Sequence, residues 1–172
     1  MSKIIDQLPF FDQPTSLRIP GGPAVNVRQF QIIVWVAVTD VGLSVCPQNI
    51  SRFPAVIDIG FNHNFLIQAH QLHDWARIES SDLIYVANIA VRGERVPLRE
   101  ADVWIFQNQP AFRDQLQEVP PFRLQLDGGI AVCPDRMNYP RLPLIGLRTI
   151  CRNQLDVRVD GKNRRVAIHV SD

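Results

Sequence analysis

Apolar positions along this chain fall in short runs rich in β-branched residues, separated by proline, glycine and polar clusters. Such runs predict strands, because branched and aromatic side chains suit a pleated surface and the breaks supply turns. The strongest is Gln31 to Asp40 (QIIVWVAVTD), followed by Phe53 to Asp58 (FPAVID), with Phe65 to Ile67 a short continuation after a turn. Ile84 to Arg92, Val96 to Phe106, Phe122 to Leu126 and Gly129 to Cys133 come next. At the end of the chain, Leu155, Val157 and Val159 alternate with polar positions, as do Val166, Ile168 and Val170. Between them lies Asp160-Gly161-Lys162-Asn163, so a hairpin with one buried face per strand is predicted. Helix is scarce: two turns over Leu147 to Gln154, and a short one within Gln68 to Ile78.

Residues 1–25 differ in character. Pro9, Pro14, Pro20, Gly21, Gly22 and Pro23 predict an extended arm or partly ordered tail outside the regular core elements. Residues 26–172 then form one domain, with polar, proline-bounded residues 107–121 as a long surface loop. A chain of 172 residues supports one core of ordinary size and no internal repeat interrupts it.

Composition narrows the classes. The chain is 46% hydrophobic and 20% charged, as globular proteins are. Eighteen basic residues against seventeen acidic ones leave a formal charge of +1, which gives no footprint for nucleic acid or an anionic membrane. The arginines between Arg158 and Arg165 fit the exposed face of the hairpin. Cys46, Cys133 and Cys151 are odd in number and lack any CxxC, so they read as free thiols in a reducing compartment. The longest apolar stretch, Ile32 to Val38, is too short to span a bilayer, and no apolar segment follows Met1 to Phe10 as in a secretory signal. These features point to the cytoplasm.

One stretch carries chemistry. In Phe53 to Ile67 (FPAVIDIGFNHNFLI) an apolar strand runs directly into Asp58, then Ile59, Gly60, a polar turn and a second apolar strand. A carboxylate at the end of a buried strand is held rigidly, and the glycine permits a sharp turn and close backbone approach. Residues Val56 to Ile67 resemble the active-site loop of the retropepsin-like (retroviral and retrotransposon-type, here bacterial-type) aspartic peptidases. Leu144-Ile145-Gly146, followed by the predicted helix, is similar to that family's hydrophobic-hydrophobic-Gly motif, which packs behind the loop. The closing segment from Asn153 to Val170 is similar to the closing hairpin of retrotransposon and bacterial members.

The resemblance implies an all-β acid-protease fold, a closed barrel or sandwich with one short helix near the C-terminus. It implies a homodimer about a two-fold axis and no metal or cofactor. Paired Asp58 carboxyl groups would share a proton, one acting as general base on water while the other polarises the scissile carbonyl of a peptide or protein substrate. Gly60 would shape the loop, with Phe61 and Asn62 beside the substrate. A flap is expected over Ile84 to Val96, with Arg92 and Gly93 at its tip. Three positions depart from the family pattern. Ile59 stands where a hydroxyl residue cross-links the two loops, Phe61 where a small residue is usual, and Asn62 where Ser, Thr or Asp is usual. The alternative implied by these departures is a retropepsin-fold module with weak or no catalysis that binds a peptide or partner protein.

The remaining candidates read as structural. His63, His70, His73 and Asp74 lack zinc-site spacing on one helix face, no cysteine has a nucleophile elbow, and Trp35, Trp75 and Trp104 sit in apolar contexts suited to a core.

Overall fold

The computed structural model describes residues 2–136 and 141–171. Met1 and Asp172, the outer bounds of the expected arm and domain, lie outside the described residues. Among the described residues, fourteen strands and two short α-helices make the chain mostly β.

The central strands follow from continuous apolar runs. Strand β4 (Ile32–Thr39) and strand β5 (Phe53–Asp58) are buried over nearly their whole length, on both faces, which is why their sequences do not alternate. They pair antiparallel, Val34 opposite Ala55. Strand β6 (Phe65–Gln68) leads into α1 (Ala69–Asp74). Strands β7 (Tyr85–Val91) and β8 (Glu94–Arg99) form a hairpin, and β9 (Asp102–Ile105) follows. Strands β10 (Phe122–Leu124), β11 (Ile130–Cys133) and β12 (Leu144–Gly146) precede α2 (Leu147–Arg152). The nine strands from β4 to β12 join in one sheet of order β10-β9-β4-β5-β12-β6-β11-β8-β7. Strand β12 is inserted between β5, to which it is parallel, and β6, to which it is antiparallel. The end of a late strand is thereby brought beside Asp58.

This sheet corrects the expectation of a closed barrel. Its outer members, the three-residue β10 and the hairpin strand β7, pair only with β9 and β8, so among the described residues the sheet stays open. The strand expected over Val96 to Phe106 divides between β8 and β9 at Glu100-Ala101. A Cβ at Gly129 would lie 2.0 Å from the carbonyl oxygen of Arg99, which shows how closely a second backbone packs at that break.

Residues 2–25 also differ from the expectation of an arm or tail outside the core elements. Strand β1 (Ser2–Pro9) pairs antiparallel with the final strand β14 (Arg165–Val170), which pairs in turn with β13 (Leu155–Asp160). Ile4, Ile5 and Leu8 are buried in the core. Strands β2 (Thr15–Arg18) and β3 (Ala24–Val27) form a ribbon whose turn holds Pro20, Gly21, Gly22 and Pro23. The prolines occupy strand ends and turns, where no ladder donor is lost, while Leu17, Ile19 and Val27 reach the core. Trp35, Trp75 and Trp104 are buried as expected. Among the described residues, no helix is long and apolar enough to cross a membrane.

Candidate functional site

Strand β5 delivers Asp58 half-buried at its C-terminal end, directly after buried Val56 and Ile57. The carboxylate Oδ1 accepts the backbone N–H of Gly60 at 2.9 Å, and Phe61 N–H donates to the Asp58 carbonyl at 3.1 Å. The chain therefore folds back around its own aspartate. A Cβ at position 60 would stand 3.2 Å from that same oxygen, so glycine suits the turn by leaving the carboxylate room. Ile59 projects outward and is 66% exposed. Asn62 is exposed, whereas Phe61 is partly buried and packs against the core, its ring 5.3 Å from that of His63.

Strand β12 holds this loop from behind. Gly146 lies in register with Asp58, its N–H donates to Asn64 O at 2.7 Å, and Leu147 N–H donates to Phe61 O at 2.8 Å. A Cβ on Gly146 would meet the carbonyl oxygens of His63 at 2.0 Å and Phe61 at 2.6 Å. Only glycine admits two backbone carbonyls that close. From α2, the fully buried Thr149 adds a hydroxyl hydrogen bond to Asn64 O at 2.9 Å, and Asn64 Nδ2 donates to Asp127 O at 2.7 Å. Leu144 and Ile145 are buried, so the three-residue strand is core on both sides. Asn64 and Thr149 were not singled out in the sequence. The available signals were a polar residue between His63 and an apolar run, and a lone threonine on the inner face of LRTICR.

The β7–β8 hairpin approaches from another side. Its two-residue turn is Arg92-Gly93, with φ of 50° and 80°, the left-handed pair that matches strand twist. His63 Nε2 lies 3.1 Å from Ala90 O. A carbonyl can only accept, so this nitrogen carries the proton and the imidazole ties the loop to the hairpin stem. The sequence-derived site residues thus fall into two groups. Asp58, Ile59, Gly60, Phe61 and Asn62 form one loop clamped by Leu144, Ile145 and Gly146. Arg92 and Gly93 form a hairpin tip that meets the loop through its stem.

The remaining titratable residues lie elsewhere. His70 Nδ1 pairs with Asp135 at 2.7 Å, and that carboxylate also accepts the His70 N–H. His73 sits between Asp74 and Glu79; the hydrogen bond to Asp74, followed by the charge of Glu79, raises its pKa. Among the described residues, no group of three or more His, Cys, Asp and Glu is placed to hold a metal ion. Cys46 and Cys133 are buried and Cys151 is exposed. A cavity of about 930 Å³ opens near Trp35, Cys46, Arg52 and Phe106, at the Phe53 end of β5 rather than the Asp58 end. The loop of residues 58–64 carries one carboxylate, that of Asp58. Comparisons with protein-family models, with curated proteins and with solved structures found no match.

Proposed function

We propose that this chain is one half of a homodimeric aspartic endopeptidase of the retropepsin-like kind, in which two Asp58 carboxyl groups meet across a two-fold axis. The observation that carries the reading is the clamp on the Asp58 loop. A backbone turn donates to the carboxylate, and Gly146 of β12 is seated beneath it with no room for any side chain. Such a loop holds an acid at a fixed position, which general acid–base chemistry requires. Two like charges brought together cannot both ionise easily, so the pair shares one proton. The ionised member would take a proton from bound water as that water attacks the peptide carbonyl, and the protonated member would polarise the carbonyl oxygen. The Arg92-Gly93 hairpin would act as a flap, with His63 coupling its stem to the catalytic loop. Ile59 and Leu147, exposed beside the loop, supply apolar surface for a partner to cover.

The exposure of Ile59 also favours a second reading. With an apolar side chain in place of a cross-linking hydroxyl, the same dimer can hold its carboxylates too loosely for catalysis and serve as a peptide- or partner-binding module. Cleavage of denatured casein at pH about 4 to 6 separates the two. Loss of cleavage in Asp58→Asn, with an unchanged fold, supports the peptidase. Undiminished cleavage in that variant, or no cleavage by the parent dimer, removes it.

A further inference from the structure

The cavity of about 930 Å³ at the Phe53 end of β5 is walled by segments far apart in the chain. They are the end of β2 and its turn, residues 45–52 leading into β5, the residue after β9, and residues 114–121. The volume lies within the range of small-molecule sites. Hydrogen bonds within the fold hold the walls in shape. Gln109 N–H donates to Gln115 O at 2.7 Å and Gln117 N–H to Gln107 O at 2.9 Å, which closes the far loop on itself. Buried Asn108 ties that loop to β1, accepting from Asp6 N–H at 2.9 Å and donating to Asp6 O at 2.8 Å.

The polar groups of the lining divide into engaged and free. Trp35 Nε1 donates to Arg113 O at 3.1 Å, and Gln117 Nε2 donates to Asn108 O at 2.8 Å. Asp114 is bonded by Arg113, so its charge is balanced. Trp35, Phe106 and Leu116 supply apolar wall, and the prolines at 20, 47, 120 and 121 bring no backbone donor to it. Three charges remain. Among the described residues, Arg18 and Arg52 are paired with no acid, and Glu118 with no base. The Arg52 guanidinium stands 5.4 Å from the centre of the Phe106 ring, which holds a weakly hydrated cation against the apolar wall. Two free guanidiniums against one free carboxylate leave the lining positive.

We propose that this cavity binds a small organic carboxylate. Arg18 and Arg52 take its charge, and Trp35, Phe106 and Leu116 take its apolar body. The occupant is argued from complementarity. A neutral apolar molecule leaves both guanidiniums unused, a cation meets two like charges, and a bare inorganic anion leaves the apolar walls wet. The site lies at the opposite end of β5 from Asp58, so it stands whether or not that residue is catalytic.

The test is isothermal titration calorimetry of the full chain at neutral pH with naphthoate, its uncharged isostere naphthamide, and inorganic phosphate. Naphthoate is expected to bind with a Kd of about 1 mM or tighter, and about tenfold or more ahead of the other two. Arg18 and Arg52 are exposed, so R18Q/R52Q should keep the parent's circular dichroism while naphthoate falls to the affinity of naphthamide. Glu118→Gln removes the opposing charge and should tighten naphthoate about twofold or more. Location is read at Cys46, which lines the cavity. Saturating naphthoate should slow its modification by a thiol reagent and leave exposed Cys151 at the parent's rate. Naphthoate binding weaker than about 1 mM, or no tighter than naphthamide, would overturn the site. So would selectivity that survives in R18Q/R52Q, weaker naphthoate in Glu118→Gln, or binding that leaves Cys46 unprotected. Phosphate bound as tightly as naphthoate would remove the organic ligand and leave a bare anion site.

Discussion

The two ends of strand β5 are built for different things. At the Phe53 end lies a cavity of about 930 Å³, with Trp35, Arg52 and Phe106 in its walls. Its charges are partly spent within the fold: Asp114 is bonded by Arg113 at 2.9 Å, and the Arg52 guanidinium stands 5.4 Å above the Phe106 ring. At the Asp58 end the backbone is clamped from two directions and the acid is held by its own turn. Room and chemical precision are therefore separated along one strand. The proposed pairing of two copies would account for this division, because its cleft would exist only between the copies, whereas each copy would have to hold its acid in place beforehand.

The largest effect is expected where the clamp is tightest. Gly146→Ala sets a methyl group against two carbonyl oxygens that belong to a loop and cannot rotate away. The variant should lose about 3 kcal/mol or more in urea unfolding followed by tryptophan fluorescence, and cleavage should fall with it. A midpoint near the parent's would mean the Asp58 loop yields easily, and the contrast between the two ends of β5 would dissolve.

Thr149→Val is the subtler cut. It keeps the shape of a fully buried side chain and removes the hydroxyl bond to Asn64 O, which still accepts from Gly146 N–H. The expected cost is about 1 to 2 kcal/mol, with Thr149→Ser closer to the parent. For the proposed activity, kcat should drop more than KM rises, since the loop's position suffers before its ability to contact peptide. A change in KM alone would assign Thr149 to the binding of substrate instead.

Much of this architecture was legible in the chain, and the reasons differ by element. Strands β4, β5, β6 and β11 announce themselves because central strands are apolar on both faces, and the β13–β14 hairpin because an edge hairpin alternates. The Asp58 loop was legible because strand, acid and glycine are contiguous. Strand β1 was not, since its burial depends on β14, which lies more than 150 residues away and supplies the partner that makes Ile4, Ile5 and Leu8 core. The closed barrel failed for a similar reason: whether two edge strands meet is decided by curvature accumulated over nine strands, which no local pattern encodes. Asn64 and Thr149 were silent because a hydrogen bond across 85 positions leaves no mark at either residue.

The smallest effect compares the loop that borders the cavity with the core of the sheet in a single tube. Cys46 borders the cavity, and Cys133 lies on β11 beside β6, its thiol donating to Ile67 O at 3.4 Å. Burial raises both thiol pKa values, that of Cys133 to about 12. Neither therefore offers much thiolate near pH 8, and exposed Cys151 should react first with iodoacetamide. The two buried thiols should then separate by route. Cys46 sits in a loop and needs only a local opening, whereas Cys133 is fully enclosed by the sheet and waits for global unfolding. Thr149→Val should accelerate modification of Cys133 by roughly fivefold or more, the factor that about 1 kcal/mol carries, and leave Cys46 at the parent's rate. The sign of the pH effect is set by the raised pKa. Both states keep the Cys133 proton below about pH 9, but above it the unfolded thiol ionises while the folded one does not, so stability falls as pH climbs toward 12. Equal acceleration of both cysteines in Thr149→Val would show that the loop at the cavity and the core of the sheet open as one unit. Acceleration confined to Cys133 would show that the clamp on the Asp58 loop is coupled to the core of the sheet, while the loop at the cavity opens by itself.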